Sequence, residues 1–334
     1  MKSARHSYLR VAVPSPLHGH FDYLPPADST IDSLLPGMRV QVPFGKRQMV
    51  GVLLEIASHT EVPASRLKRA HRVLDETPLI PTDMLALARW AADYYHHPIG
   101  EVIQALLPVS LRQGKAVVLQ TDSVWRLTPA GAQTDAAEFK RAPKQLALRQ
   151  LLVQHPEGLD AATLNAHYQH WAAPLNRLIK RGWVAKLQRP PEHAGALAPD
   201  VRVALNAAQA LAAGKIRAAL GSFRAFLLNG VTGSGKTEVY LQVIAATLLR
   251  GRQALVLVPE IGLTPQLLER FRARFGTVAV FHSGLSDGER LAAWLAARDG
   301  RVPVVVGTRS AVFVPLKNPG VIVVDEEHDT SFKQ

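Results

Sequence analysis

Residues Leu227–Tyr240 read LLNGVTGSGKTEVY, and within them Gly230–Thr237, GVTGSGKT, satisfies G-x-x-x-x-G-K-[ST] in full. The context fits the motif. The apolar run AFLLN before it predicts a strand, and KTEVYLQVIAATLL after it predicts an amphipathic helix. Glycines at 230, 233 and 235, with Ser234 between them, let the backbone curl so that several N–H groups face one concavity, a nest for phosphate oxygens. The helix start adds its partial positive charge. Lys236 can neutralise terminal phosphates, and Thr237 offers a hydroxyl to Mg²⁺. The reading is a nucleoside triphosphate site, with ATP and Mg²⁺ as the cofactors.

The other half of such a site is VIVVDEEHD at 321–329. Its β-branched run predicts a buried strand carrying Asp325 at its C-terminal end, where open α/β sheets bind ligands. Asp325 can hold Mg²⁺ through its water shell. Glu326 can orient and deprotonate an attacking water. Between the two motifs ALVLVPE, VAVFHSG and PVVVG alternate with the amphipathic stretches TPQLLERFRARFG and SDGERLAAWLAARDG. That alternation predicts a parallel α/β domain over 201–334.

Upstream, YLRVAVPSPL, MRVQVPFG and MVGVLLEIA predict strands of a small β-rich domain over 1–110, with GHFDYLPP as a loop and FGKRQ as a turn. One helical stretch, TDMLALARWAADYYHHPIGEVIQALLP, follows. The adjacent His96 and His97 point about 100° apart on a helix and do not share a metal. Residues 115–198 mix an extended pair (KAVVLQTDSVWRLT), two short helices (KQLALRQLLVQHPEG, APLNRLIKRGW) and a strand (GWVAKLQRPP), an order suggesting a winged helix. RPPEHAGALAPD is the linker candidate.

The 334 residues carry 39 Lys and Arg against 27 Asp and Glu, a net charge of +12 that favours polyanions such as nucleic acid. Cysteine is absent, which removes disulfides and thiolate metal sites from this chain. No apolar run is long enough to cross a membrane, and no secretory h-region opens the chain. The expected location is cytoplasmic.

A P-loop followed by a D-E-x-H box resembles superfamily 2 helicases. The wording GVTGSGKTEVY, LVPEIGLTPQ, HSGLSDGERLAAW, VVGTRSAVFVP and VIVVDEEHDTSFKQ, with FDYLPP, VPFGK and WAADYYHHPIGEV upstream, resembles the primosomal protein N′ (PriA) family of bacterial replication-restart helicases. The resemblance implies a 3′-DNA-binding domain (1–110), a winged helix (115–198) and a RecA-like first helicase lobe (201–334). It implies ATP-driven 3′→5′ translocation and recognition of stalled forks and D-loops, in a nucleoid-associated monomer. Its implied partners are forked and single-stranded DNA, primosome proteins and single-stranded DNA-binding protein.

By the same resemblance Gln209 in LNAAQ would contact adenine. Phe21, Asp22, Gly45 and Lys68 would hold the 3′ end of a nascent strand: stacking, accepting the hydroxyl, admitting backbone and pairing a phosphate. Thr308 and Arg309 in GTRSAVF, with Thr264 in PEIGLTPQ, would grip the sugar-phosphate backbone. Family members continue past this point through a cysteine-rich zinc module and a second lobe, so no zinc ligand is expected here. Arginines from that second lobe normally complete the γ-phosphate site. The alternative reading is therefore a branched-DNA and 3′-end binding module with an inert half ATPase site.

Overall fold

The computed structural model describes residues 7–332 apart from 118–121, 141, 161–162, 165–166, 169–170, 190–203 and 232. All of the linker candidate except Arg189 thus lies outside the described residues. The chain forms two compact units, Met1–Val118 with Ala194–Gln334, and Leu119–His193.

The first unit opens with β1 (Tyr8–Ala12), β2 (Phe21–Leu24), β3 (Arg39–Phe44), β4 (Arg47–Ala57), β5 (Lys68–Arg69) and β6 (Arg72–Val73). They make one sheet in the order β5-β2-β1-β4-β3-β6. Leu9, Val11, Val40, Val42 and Leu53 are fully buried in one cluster. In β3 buried Val40 and Val42 flank half-buried Gln41, the spacing expected on the covered face of a strand, while Arg39 is buried as well. The β3–β4 hairpin closes over Gly45 and Lys46, with Phe44 opposite Arg47. So tight a turn needs a positive φ, and Gly45 supplies one of +59°. The expectation that FDYL is a loop is corrected. It pairs antiparallel with β1 (Leu9 opposite Tyr23) and parallel with β5 (Tyr23 opposite Lys68).

The single helix expected over 82–108 is three: α1 (Thr82–Tyr94), α2 (Ile99–Leu106) and α3 (Val109–Arg112). His96 turns to a φ of +50°, and Pro98 and Pro108 occupy the N-cap positions of the next two helices. A proline lacks the N–H that would continue a helix, and it bars helical backbone from the residue before it.

The second unit pairs β7 (Asp122–Leu127) antiparallel with β8 (Val184–Arg189), which comes from its opposite end. Of the extended pair expected within 115–128, β7 is the one strand among the described residues, and 118–121 lie outside them. Between β7 and β8 lie α4 (Pro129–Gln133), α5 (Pro143–Gln154) and α6 (Ala172–Lys180). Trp125, Phe139, Leu148, Leu152, Leu175, Leu178 and Val184 form their core. Helices α5 and α6 followed by β8 are the order on which the winged-helix reading rests.

The first unit resumes with α7 (Ala207–Ala218), α8 (Lys236–Leu248), β9 (Gln253–Leu257), α9 (Pro265–Phe275), β10 (Val278–Phe281), α10 (Asp287–Arg298), β11 (Val304–Gly307) and β12 (Pro319–Val324). All four strands run parallel in the order β10-β11-β9-β12. Two expectations are corrected. Residues 225–230 make no strand ladder among the described residues, and β12 is an edge rather than a buried strand, with Ile322 and Val324 about half exposed. The two corrections have one cause. Extended chain becomes a strand only where its N–H and C=O groups meet a partner, and β12 bonds β9 alone. A cavity of about 840 Å³ lies between 219–231 and 319–328.

The β-rich domain and the α/β lobe share a core. Ala88, Ile103, Leu106 and Leu111 fall in one buried cluster with Leu255, Phe281, Trp294 and Leu295. The Trp294 indole on α10 donates to the Leu106 carbonyl at 2.8 Å. Fully buried Arg39 pairs with Asp75 at 2.7 Å and also donates to the carbonyls of Leu111 and Lys115. A buried guanidinium needs such complete satisfaction.

Candidate nucleotide site and DNA-end pocket

Lys236 opens α8 directly, with Gly235 as N-cap at a φ of +81°. A Cβ on Gly235 would come within 2.4 Å of the Gln209 side-chain nitrogen. The left-handed backbone favours glycine there, and a larger residue would also push the bracing Gln209 amide aside. Gly233 is also left-handed, and nothing stands where its Cβ would project, which leaves the loop open on that side. Gly230 packs where a Cβ would strike the Ser234 hydroxyl. The Lys236 ammonium donates to the Gly230 carbonyl at 2.7 Å. It is held at the loop itself.

Gln209 braces this loop. Its Nε2 donates to the Ser234 carbonyl at 2.8 Å, while its Oε1 accepts from the Asn206 N–H in the capping box of α7. Each end of the amide makes one bond within the protein and keeps a second N–H or a second lone pair, which an adenine edge can use.

Asp325 follows β12, and its N–H donates to the Leu257 carbonyl at 2.9 Å. The Tyr240 hydroxyl donates to the Asp325 carboxylate at 2.9 Å. Thr237 lies in the first turn of the helix that carries Tyr240, and Lys236, Asp325 and Glu326 line one cavity. Burial, and then the neighbouring Asp325 charge, push the Tyr240 phenol well above its usual range, so it stays a donor. Glu326 sits at a φ of +48°, a left-handed conformation that costs a non-glycine residue on the order of 1 kcal/mol. Its carboxylate lies 3.6 Å from the His328 ring.

No group of three or more His, Cys, Asp or Glu among the described residues could cage a metal. This donor set suits Mg²⁺ brought by a nucleotide, which needs one carboxylate, a hydroxyl and phosphate oxygens rather than a protein cage.

Behind the loop, Glu238 and Arg274 form a nearly buried ion pair at 2.7 Å, joining α8 to α9. Tyr240 and Glu238 were not foreseen from the sequence. The available signal was spacing, since Tyr240 lies three residues beyond Thr237 on one helix face.

The second site is a cavity of about 490 Å³ in the β-rich domain, lined by Phe21, Asp22, Gly45 and Lys68 together with Arg10, His20, Tyr23, Phe44 and Arg66. All four sequence-predicted residues of that pocket fall in it. Phe21 packs edge-on against Phe44, centroids 5.0 Å apart. The Asp22 side chain is only 8% exposed; one oxygen accepts from the Thr60 hydroxyl. The other, Oδ1, lies 3.8 Å from both Arg10 and His20 and accepts no hydrogen bond among the described residues. An unsatisfied acceptor at a pocket wall calls for a donor from outside. Tyr23 donates to the Pro43 carbonyl, and burial pushes its phenol up to about 12.

The expected strand-gripping residues behave differently from one another. Thr264 caps α9, accepting from the Leu267 N–H, yet remains exposed. Thr308 is 4% exposed beneath the turn after β11, which leaves its hydroxyl little surface for a phosphate. Arg309 is exposed and donates to the Ser331 carbonyl at 3.0 Å.

Comparison with known proteins places these sites in a family. Residues 10–108 match the 3′DNA-binding domain (3′BD) of PriA, and residues 206–334 match the DEAD/DEAH box helicase domain. The chain is 40% identical to the Replication restart protein PriA of Haemophilus influenzae over 98% of its own length and 45% of the relative's. It is 31% identical to that of Bacillus subtilis, over 94% of this chain and 48% of the relative. Against the Synechocystis protein identity is 41%, over 74% of this chain and 27% of the relative. The chain thus spans less than half the length of these relatives. With a 3′DNA-binding domain at one end and a helicase domain at the other, matched in order along almost its whole length, the chain belongs to the PriA family of replication restart proteins.

Proposed function

We propose that this chain is the N-terminal part of an ATP-dependent 3′→5′ DNA helicase that recognises stalled forks and D-loops through a 3′ end and restarts replication. The observation that carries the reading is one compact unit holding both an open phosphate loop tied to Asp325 and a pocket with an unsatisfied Asp22 oxygen. In this reading the amides around Gly233 and Gly235, with Lys236, hold the phosphates, and Thr237 and Asp325 hold Mg²⁺. The bound ion supplies charge neutralisation at the phosphates. Glu326 takes the proton of the attacking water, its strained backbone fixing where its carboxylate stands. Asp22 accepts the terminal 3′-hydroxyl, Phe21 offers a ring edge beside Phe44, and Lys68 pairs with a phosphate. Thr264 and Arg309 provide exposed donors for a DNA backbone; Thr308 supports the turn that carries Arg309. The whole protein's partners in this reading are primosome proteins and single-stranded DNA-binding protein, in a cytoplasmic setting.

A second reading has its own support. Residues 225–230 stand unpaired beside the open edge of β12, so the sheet is not closed around the phosphate loop. That favours a 3′-end binding module whose ATPase half-site turns over slowly or not at all. ATP turnover with and without forked DNA, measured beside fork affinity, separates the two. Fork-stimulated turnover supports the motor, fork binding with no turnover supports the module, and failure to bind forks at low salt refutes both.

A further inference from the structure

We propose that Tyr240 is a positioning residue of the metal–nucleotide site, a phenol relay through which the packed core of the lobe holds the Asp325 carboxylate for Mg²⁺. The proposal rests on the nucleotide-site reading above. Tyr240 lies 85 residues from Asp325 in sequence, yet its hydroxyl sits 2.9 Å from that carboxylate. The ring is 5% exposed and lies nearly parallel to fully buried Phe271, at 6.4 Å and 20°. Val256, Val306 and Phe275 belong to the same cluster. Packing therefore fixes where the hydroxyl stands.

The chemistry explains why a phenol belongs there. The Tyr240 proton goes to the Asp325 carboxylate, so a buried neutral donor orients that carboxylate without adding a charge beside the ion. The relay thus runs from the packed ring to Asp325, using one lone pair of Oδ2 and leaving the other carboxylate lone pairs for the ion. Groups that orient metal-binding side chains in this way affect metal affinity by roughly 10- to 100-fold. Phe271 adds a second consequence. It lies on α9, whose first turn is capped by exposed Thr264, so the ring that sets the metal carboxylate also packs on the helix of a candidate DNA contact.

The test compares the affinity of this chain for N-methylanthraniloyl-ADP with Mg²⁺ and with EDTA. The quantity read is the Mg²⁺-dependent gain. Tyr240→Phe keeps the ring and its packing, so the chain folds, and the gain falls roughly tenfold while the EDTA affinity is unchanged. Asp325→Asn loses the gain as well, and the double variant loses little more, because both substitutions break one relay. A Tyr240→Phe gain equal to or larger than wild type overturns the relay while leaving the nucleotide site standing. Fully additive losses likewise overturn it. A wild-type chain that binds no nucleotide in either buffer refutes the underlying reading and the relay with it.

Discussion

Asp22→Asn is the sharpest probe of the DNA-end pocket, because it changes the wall's chemistry and almost none of its shape. Asp22 presents one oxygen to the Thr60 hydroxyl and leaves Oδ1 without a hydrogen bond, on a side chain 8% exposed. In Asp22→Asn the amide oxygen can still accept from Thr60, which turns the NH₂ group toward Oδ1's place. A donor then faces the incoming 3′-hydroxyl where an acceptor stood. A hydrogen bond to a charged group contributes about 1.5–3 kcal/mol when water is excluded. The pocket is open to solvent on one side, and Arg10 and His20 at 3.8 Å already share the carboxylate charge, so the lower end applies. That corresponds to a preference of roughly tenfold for a 3′-hydroxyl end over a dideoxy end. Fluorescence anisotropy of labelled forks with the two ends measures the ratio directly at one salt concentration. Wild type shows the preference and Asp22→Asn abolishes it, while affinity for the dideoxy fork changes little. Equal preference in both proteins refutes the assignment of Asp22 as the hydroxyl acceptor.

Other perturbations test the scaffold. Trp294→Phe removes the bond to the Leu106 carbonyl between the β-rich domain and the lobe; urea unfolding should report a loss of about 1–3 kcal/mol, since that carbonyl is left buried and unpaired. Arg274→Leu leaves Glu238 nearly buried without its partner, and the expected loss is about 3–5 kcal/mol. A loss below roughly 1 kcal/mol would show that the pair is well solvated. Glu326→Gly relieves the backbone at a φ of +48°; thermal unfolding should show a gain of about 1 kcal/mol, and any ATP turnover should disappear with the carboxylate. A stabilised variant with turnover intact would remove Glu326 as the base.

Much of this was legible in the sequence because the signals were local. The phosphate loop depends on glycines within a few residues, and Gly233 and Gly235 adopt the left-handed backbone the motif requires. The α/β lobe was visible in its alternating apolar runs. The four pocket residues followed from family resemblance and converge on one cavity. What escaped depended on distant partners. FDYL has too little apolar pattern to announce a strand, and it becomes one through β1 and β5. The AFLLN run has the composition of a strand and lacks the ladder. Trp294 reads as any amphipathic-helix tryptophan until its contact, 188 positions away, is known. Tyr240 reads as helix core until β12 delivers Asp325 to its hydroxyl. Thr308, expected at a DNA surface, is covered by the turn that follows it.

The account stands on one joint claim, that Lys236 and Asp325 serve a single nucleotide while a separate surface takes DNA. Isothermal titration of Lys236→Ala and wild-type chains with Mg²⁺–ADP, beside fork anisotropy on the same samples, tests it most directly. The account predicts one nucleotide per wild-type chain, no measurable binding to Lys236→Ala, and fork affinity the same in both. Nucleotide binding by Lys236→Ala as tight as wild type would contradict it.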